Sequence, residues 1–95
     1  MGKNGSIRIS RADNQVLVLR NGELIFDSGI IHDDKVLDLK DEFAITNPNT
    51  VITVIGINYG GNGTQVGRIV VDGKEYPWNE PSDAQGITMV RTYSV

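Results

Sequence analysis

The chain has 95 residues, 12 acidic against 9 basic, a formal net charge of −3 and no cysteine. That length holds one domain around one core. The missing cysteine excludes a disulfide framework, a thiolate nucleophile and a cysteine zinc site. The acidic balance, with no basic block, argues against a nucleic-acid or anionic-membrane surface, which needs clustered Lys and Arg.

The leading MGKNGS lacks the apolar stretch of a secretory signal, and residues 1–5 read as a leader ahead of the fold. Ile7 and Ile9 alternate with Ser6, Arg8 and Ser10, the two-residue period of a half-buried strand. Residues 11–14 turn the chain. Val16, Leu17, Val18 and Leu19 form a continuous apolar run that reads as a central strand. Asn21-Gly22 then separates this run from Leu24-Ile25-Phe26. Asn-Gly between two apolar runs predicts a hairpin, because a type I′ turn needs positive φ at both central residues. Ile30 and Ile31 extend the strand, and residues 32–35 form a polar loop.

Val36, Leu37 and Leu39 read as a strand-like edge. Residues 38–43, DLKDEF, are the one piece suited to a helical turn, too short for a stable helix. Pro48, flanked by Asn47 and Asn49, marks a turn. From Val51 to Tyr59 the odd positions share one face, with Ile52 and Val54 on the other. The pattern predicts a strand buried on both faces at its start and on one at its end. A Gly-rich loop over residues 60–63 follows, then a strand around Val66, Ile69, Val70 and Val71. Asp72-Gly73 predicts a second hairpin, returning along Lys74 to Trp78. Tyr76 and Trp78 share a face, so both point into the core or both point out. Residues 79–85 read as a loop punctuated by Pro81. A closing strand places Ile87, Met89, Tyr93 and Val95 on one face. About eight short strands with no substantial helix predict an all-β, antiparallel β-sandwich of jelly-roll type, a single domain over residues 1–95.

Several of these stretches resemble galactose-binding-like jelly-roll domains, accessory β-sandwiches of many glycoside hydrolases. Ala12-Asp13-Asn14, a strand, and Arg20-Asn21-Gly22-Glu23-Leu24 are similar to that family's opening. Residues 47–54, NPNTVITV, are similar to its strand entry, with Asn49 where the family has Gly. Asn58-Tyr59-Gly60-Gly61, Gly67-Arg68-Ile69 and Val71-Asp72-Gly73 are similar to the segments that follow, and Trp78 falls where the family often has a tryptophan. The resemblance implies the sandwich fold and a non-catalytic carbohydrate-binding or accessory role.

The residues themselves supply what a sugar site needs: a ring to stack on a C–H face and polar groups to bond hydroxyls. Tyr59, Tyr76 and Trp78 are the rings; Asn58, Asn62, Gln65, Arg68 and Glu80 are the polar partners. The predicted ligand-binding set is Asn58, Tyr59, Asn62, Arg68 and Trp78, set against the reading in which Trp78 is core packing. The Gly-rich loop lacks the Lys and Ser/Thr of a phosphate-binding loop and reads as a strand connection. His32, flanked by Asp33 and Asp34, has no second His, no Cys and no Gly-x-Ser-x-Gly elbow with it, so no catalytic residue is assigned and the chain is not read as an enzyme. No cofactor is assigned either; a calcium ion held by Asp13, Asp33, Asp34 or Asp72 has no motif spacing behind it. The expected partner is a glycan or another protein chain, with no nucleic acid and no membrane. The alternative function is a structural or assembly module, such as a virion or tail-fibre decoration domain or a homo-oligomerising or spacer domain, joined through its β-edges.

Overall fold

A computed structural model describes residues 3–32, 36–61 and 63–95. Eight strands follow in order: β1 (Lys3–Arg11), β2 (Gln15–Arg20), β3 (Glu23–Asp27), β4 (Leu39–Ile45), β5 (Val51–Asn58), β6 (Gly63–Val71), β7 (Lys74–Ser82) and β8 (Gly86–Ser94). They form two four-stranded antiparallel sheets, β4-β1-β6-β7 and β3-β2-β5-β8. There is no helix among the described residues. The chain is the expected all-β sandwich. Its order puts β1 and β8 in different sheets and does not establish the jelly-roll wiring.

Both hairpins lie where the turn chemistry predicts. Asn21 and Gly22 have φ of 51° and 84°, and Asp72 and Gly73 have 52° and 76°. Positive φ at both central positions twists the turn in the same sense as the strands. These turns join β2 to β3 and β6 to β7 within one sheet, while every other connection crosses from one sheet to the other. Asn21 also ties its turn to the next crossing: its N–H donates to the Val51 carbonyl at 2.9 Å, and its Oδ1 accepts from Val51 N–H at 2.8 Å.

The core lies between the sheets. Ile7, Ile9, Ile69 and Val71 come from one sheet and Val16, Val18, Ile52 and Val54 from the other, all buried. Each such side chain contributes about 1.5–3 kcal/mol when fully buried. Trp78 is 3% exposed and lies over Gly67, its partner across β6–β7. A Cβ at Gly67 would come 2.5 Å from the Trp78 ring and 2.6 Å from the Arg8 carbonyl, so the indole needs glycine beneath it.

Several sequence expectations change; among them, Ile30, Ile31, Val36 and Leu37 lie outside strands. Residues 40–43 are not a helical turn but part of β4, where Phe43 and Ile45 point inward and pairing with β1 fixes the extended backbone. Lys3, Asn4 and Gly5 are not a leader; they pair with Ile45, Ala44 and Phe43. β7 runs through Pro77 and Pro81 to Ser82, because an edge strand tolerates proline where the missing N–H would face outward. In β8 a register shift opposite Gly56/Ile57 turns Ile87 outward, while Met89 stays buried.

The faces of β5 are also reversed relative to expectation. Its even positions Ile52, Val54, Gly56 and Asn58 are buried, and its odd positions Val51, Thr53, Ile55 and Ile57 lie on the outside. Cross-strand partners share a face. Register therefore places Gln15, Leu17 and Leu19 of β2, Leu24 and Asp27 of β3, and Ile87, Val90, Thr92 and Ser94 of β8 on that same outer surface. Asp27 is the one charged residue that these registers put there among the described residues. The outer face of the other sheet is different in kind. Arg8, Lys40, Glu42, Arg68 and Glu75 all lie on it by register.

The four sheet edges are poor templates for strand addition. β7 carries its two prolines, β4 has the run Lys40-Asp41-Glu42, β3 is five residues long with a register shift, and β8 has its own shift. Short strands, prolines, charges and bulges are what blunts an edge.

Candidate functional site

The conspicuous polar cluster sits at the end of the sandwich where the β1–β2, β5–β6 and β7–β8 connections meet. Asn58, the last residue of β5, is 1% exposed. Its amide nitrogen donates to the carbonyls of Gly61 at 3.1 Å, Ser82 at 3.0 Å and Ala84 at 2.9 Å. Its Oδ1 accepts from Gly60 N–H at 2.9 Å. The strand pattern of β5 turns Asn58 inward, and there it ties the β5–β6 connection to the end of β7 and the β7–β8 connection.

A second asparagine repeats the device. Asn14 donates from Nδ2 to the Ile31 carbonyl at 2.7 Å and accepts the Tyr59 N–H on Oδ1 at 2.7 Å. The Asp13 carbonyl, beside it, accepts from Gln65 Nε2 at 2.8 Å and from Ser82 Oγ at 2.6 Å. Asp13, Asn14, Asn58, Gln65 and Ser82 are all buried. Buried polar groups without partners are costly, and this clasp provides partners for backbone groups of three connections. Gln65 Oε1 and Trp78 Nε1 are buried without a hydrogen bond among the described residues.

These positions decide how the expected sugar site fares. Asn58 is committed to backbone groups, and its buried amide presents nothing to a ligand. Trp78 is inside the sandwich at 3% exposure, where Gly67 makes room for it, so its indole offers little surface for stacking. Tyr76, on the same face, is half-buried against Tyr93, with ring centroids 5.4 Å apart. Arg68 is on the charged outer face, its Nε 3.0 Å from a Glu75 carboxylate oxygen. It borders an open groove of about 350 Å³ with Ser10, Val66, Pro77, Trp78 and Asn79. Glu80 pairs with Arg91 across the β7 and β8 edges. Asn62 lies outside the described residues, as do Asp33 and Asp34.

Tyr59 is the one ring of the set that is exposed, at 54%. Its hydroxyl donates to Gln15 Oε1 at 2.6 Å, and Gln15 Nε2 donates in turn to Asp27 Oδ1 at 2.7 Å. The Gln15 amide, and after it the Gly29 N–H, hold the Asp27 carboxyl below its ordinary pKa of 3.8. Tyr59, Asn14, Ile30, His32 and Gly60 line a shallow depression of about 420 Å³. Tyr59 therefore belongs to the loop end beside sheet β3-β2-β5-β8, whereas Arg68 belongs to the middle of the opposite sheet's outer face. Arg68 and Trp78 border the same groove, while Tyr59 lines a separate depression, so the predicted residues do not all meet in one site. Among the described residues, no three of His, Asp and Glu are grouped to hold a metal ion.

The sequence reading missed two features. The first is the clasp: Asp13 and Asn14 were visible as motif residues, and Gln65 as a polar residue in an apolar strand. The second is the apolar outer face of β3-β2-β5-β8, whose signal was the apolar residue at both parities of β2 and β5. The chain matches no family model, no curated protein and no solved structure.

Proposed function

We propose that this chain is a non-catalytic interaction module that docks on another protein chain through the outer face of sheet β3-β2-β5-β8. One observation carries the reading. Leu17, Leu19, Ile55 and Ile57 lie on the two middle strands of that face with Gln15 and Thr53, Val51, Ile87 and Val90 are 39%, 64% and 57% exposed beside them, and the register adds Thr92, Ser94 and one carboxylate, Asp27. An antiparallel sandwich normally alternates apolar inward with polar outward residues. The opposite sheet follows that rule and this one breaks it. Contiguous apolar surface of this kind marks interaction sites.

The carbohydrate reading is placed second because one of its two stacking rings, Trp78, and one of its polar residues, Asn58, are buried in structural roles, leaving only Tyr59 as an exposed ring. An apolar fluorescent dye and a sugar panel separate the two. The docking reading expects dye binding that Ile55→Lys removes without altering the circular dichroism spectrum, and no change in Trp78 emission on adding millimolar sugars. Dye binding that is equal in wild type and Ile55→Lys would take away the observation on which the reading rests.

A further inference from the structure

We infer that the occupant of this face is a second copy of the chain, packed face to face about a twofold axis. The inference rests on the docking reading above and adds the identity of the partner. Charge is the first argument. A face whose register supplies a single carboxylate selects neither a basic nor an acidic partner, and the surface that suits it is another uncharged one. The charged outer face of β4-β1-β6-β7 is not such a surface; the same face on a second copy is. An axis running along the strands between β2 and β5 preserves height along them, so it sets Leu17 of each copy against Ile55 of the other, Leu19 against Thr53 and Gln15 against Ile57. It leaves the two Asp27 carboxylates at opposite margins, each facing edge strand β8 of the other copy, too far apart to repel each other.

Shape is the second argument. Sheet faces pack on sheet faces about 10 Å apart with strands within roughly 30°, which is how the inner faces of this sandwich already meet. The blunted edges close the competing route, continuous pairing of strands between copies. Area sets the strength. Four strands about 4.8 Å apart and on average about 24 Å long give a footprint of about 450 Å² per copy. The pair covers about 900 Å², just under the roughly 1,000 Å² of a specific stable interface and in the range of a weak one. The dimer is therefore a reversible one that grows in with concentration.

Sedimentation of the full chain over a concentration series tests this. The expected result is a mass rising from 10.4 kDa towards twice that value. Ile55→Lys and, independently, Leu17→Lys each weaken association at least about 30-fold, the effect of a central interface residue. Arg68→Glu, on the opposite face, leaves association unchanged. Both lysine variants retain the wild-type circular dichroism spectrum, since Leu17 and Ile55 lie outside the core. A wild-type mass that stays at 10.4 kDa through the soluble range overturns the inference. So does association that survives both lysine substitutions, or that is lost in Arg68→Glu. If the chain stays monomeric yet Ile55→Lys still abolishes dye binding, the second copy is the wrong occupant and the docking reading stands. If dye binding is absent as well, both fail.

Discussion

Replacing Asn58 by alanine separates a structural clasp from a ligand site. The substitution removes four hydrogen bonds: three from the amide to the carbonyls of Gly61, Ser82 and Ala84, and one accepted from Gly60 N–H. Gly61 and Ala84 are exposed and Gly60 is partly so, which lets water replace Asn58 there at small cost. Ser82 is 0% exposed, so its carbonyl loses a partner that water cannot easily replace. One orphaned buried carbonyl and three modest net bonds come to about 3 kcal/mol. A domain of this size has roughly 5–14 kcal/mol in total. With a urea slope near 1–1.5 kcal/mol/M, the midpoint drops by about 2–3 M. Asn58→Asp is expected to be worse at neutral pH, because it sets a carboxylate among three carbonyl oxygens. Urea unfolding followed by Trp78 fluorescence reads both variants. A loss below about 1 kcal/mol for Asn58→Ala, within the range of ordinary surface changes, would refute the clasp.

Three other outcomes follow from the packing and the registers. Gly67→Ala meets the Trp78 ring and the Arg8 carbonyl, of which the backbone atom cannot move aside; it destabilises by about 2–3 kcal/mol, and Trp78→Phe in the same chain restores part of that in urea unfolding. The Tyr93 phenol has its pKa raised above 10.0 by burial, partly opposed by the Arg91 charge. The fold thus favours the neutral phenol, whose stabilising contribution is complete below pH 10.0 and is lost as pH rises through the raised value. Tyr93→Phe also removes the hydroxyl donated to the Pro77 carbonyl, and its urea midpoint should fall less steeply with alkaline pH than that of wild type. Finally, a collisional quencher that reaches exposed indoles should leave Trp78 emission nearly unchanged in the native chain and quench it after unfolding, because the ring is 3% exposed; strong native quenching would contradict its core position.

Much of the fold was legible because its turns use residues with a single conformational purpose. Asn21-Gly22 and Asp72-Gly73 fixed two hairpins, and period-two alternation fixed β1 and the parity of β5 and β7, whereas the register shift in β8 put Ile87 and Met89 on opposite faces. Direction was harder. Parity tells that Tyr76 and Trp78 share a face and cannot say which face is inside; Gly67, directly opposite Trp78, supplies the room that decides it. In β5 both parities are apolar, so alternation could not reveal that Ile55 and Ile57 face outward. The function of Asn58 was hidden for another reason. Its amide partners include the carbonyls of Ser82 and Ala84, 24 and 26 residues away, and backbone carbonyls leave no mark in a sequence. The motif residues that resembled a sugar-binding family, Asp13, Asn14 and Asn58, serve here to join three connections at one end of the sandwich.

The most direct test of the docking account is a residue-resolved one. Amide chemical shifts of the isotope-labelled chain can be followed as its concentration rises, and again as sugars are added to a dilute sample. The account predicts concentration-dependent shifts gathered on Leu17, Leu19, Thr53, Ile55 and Val90, with none at Arg8 and Arg68 on the opposite face and none on adding sugar. Shifts confined to Tyr59, Gly60 and Arg68 on adding sugar, with β2 and β5 silent at every protein concentration, would contradict it.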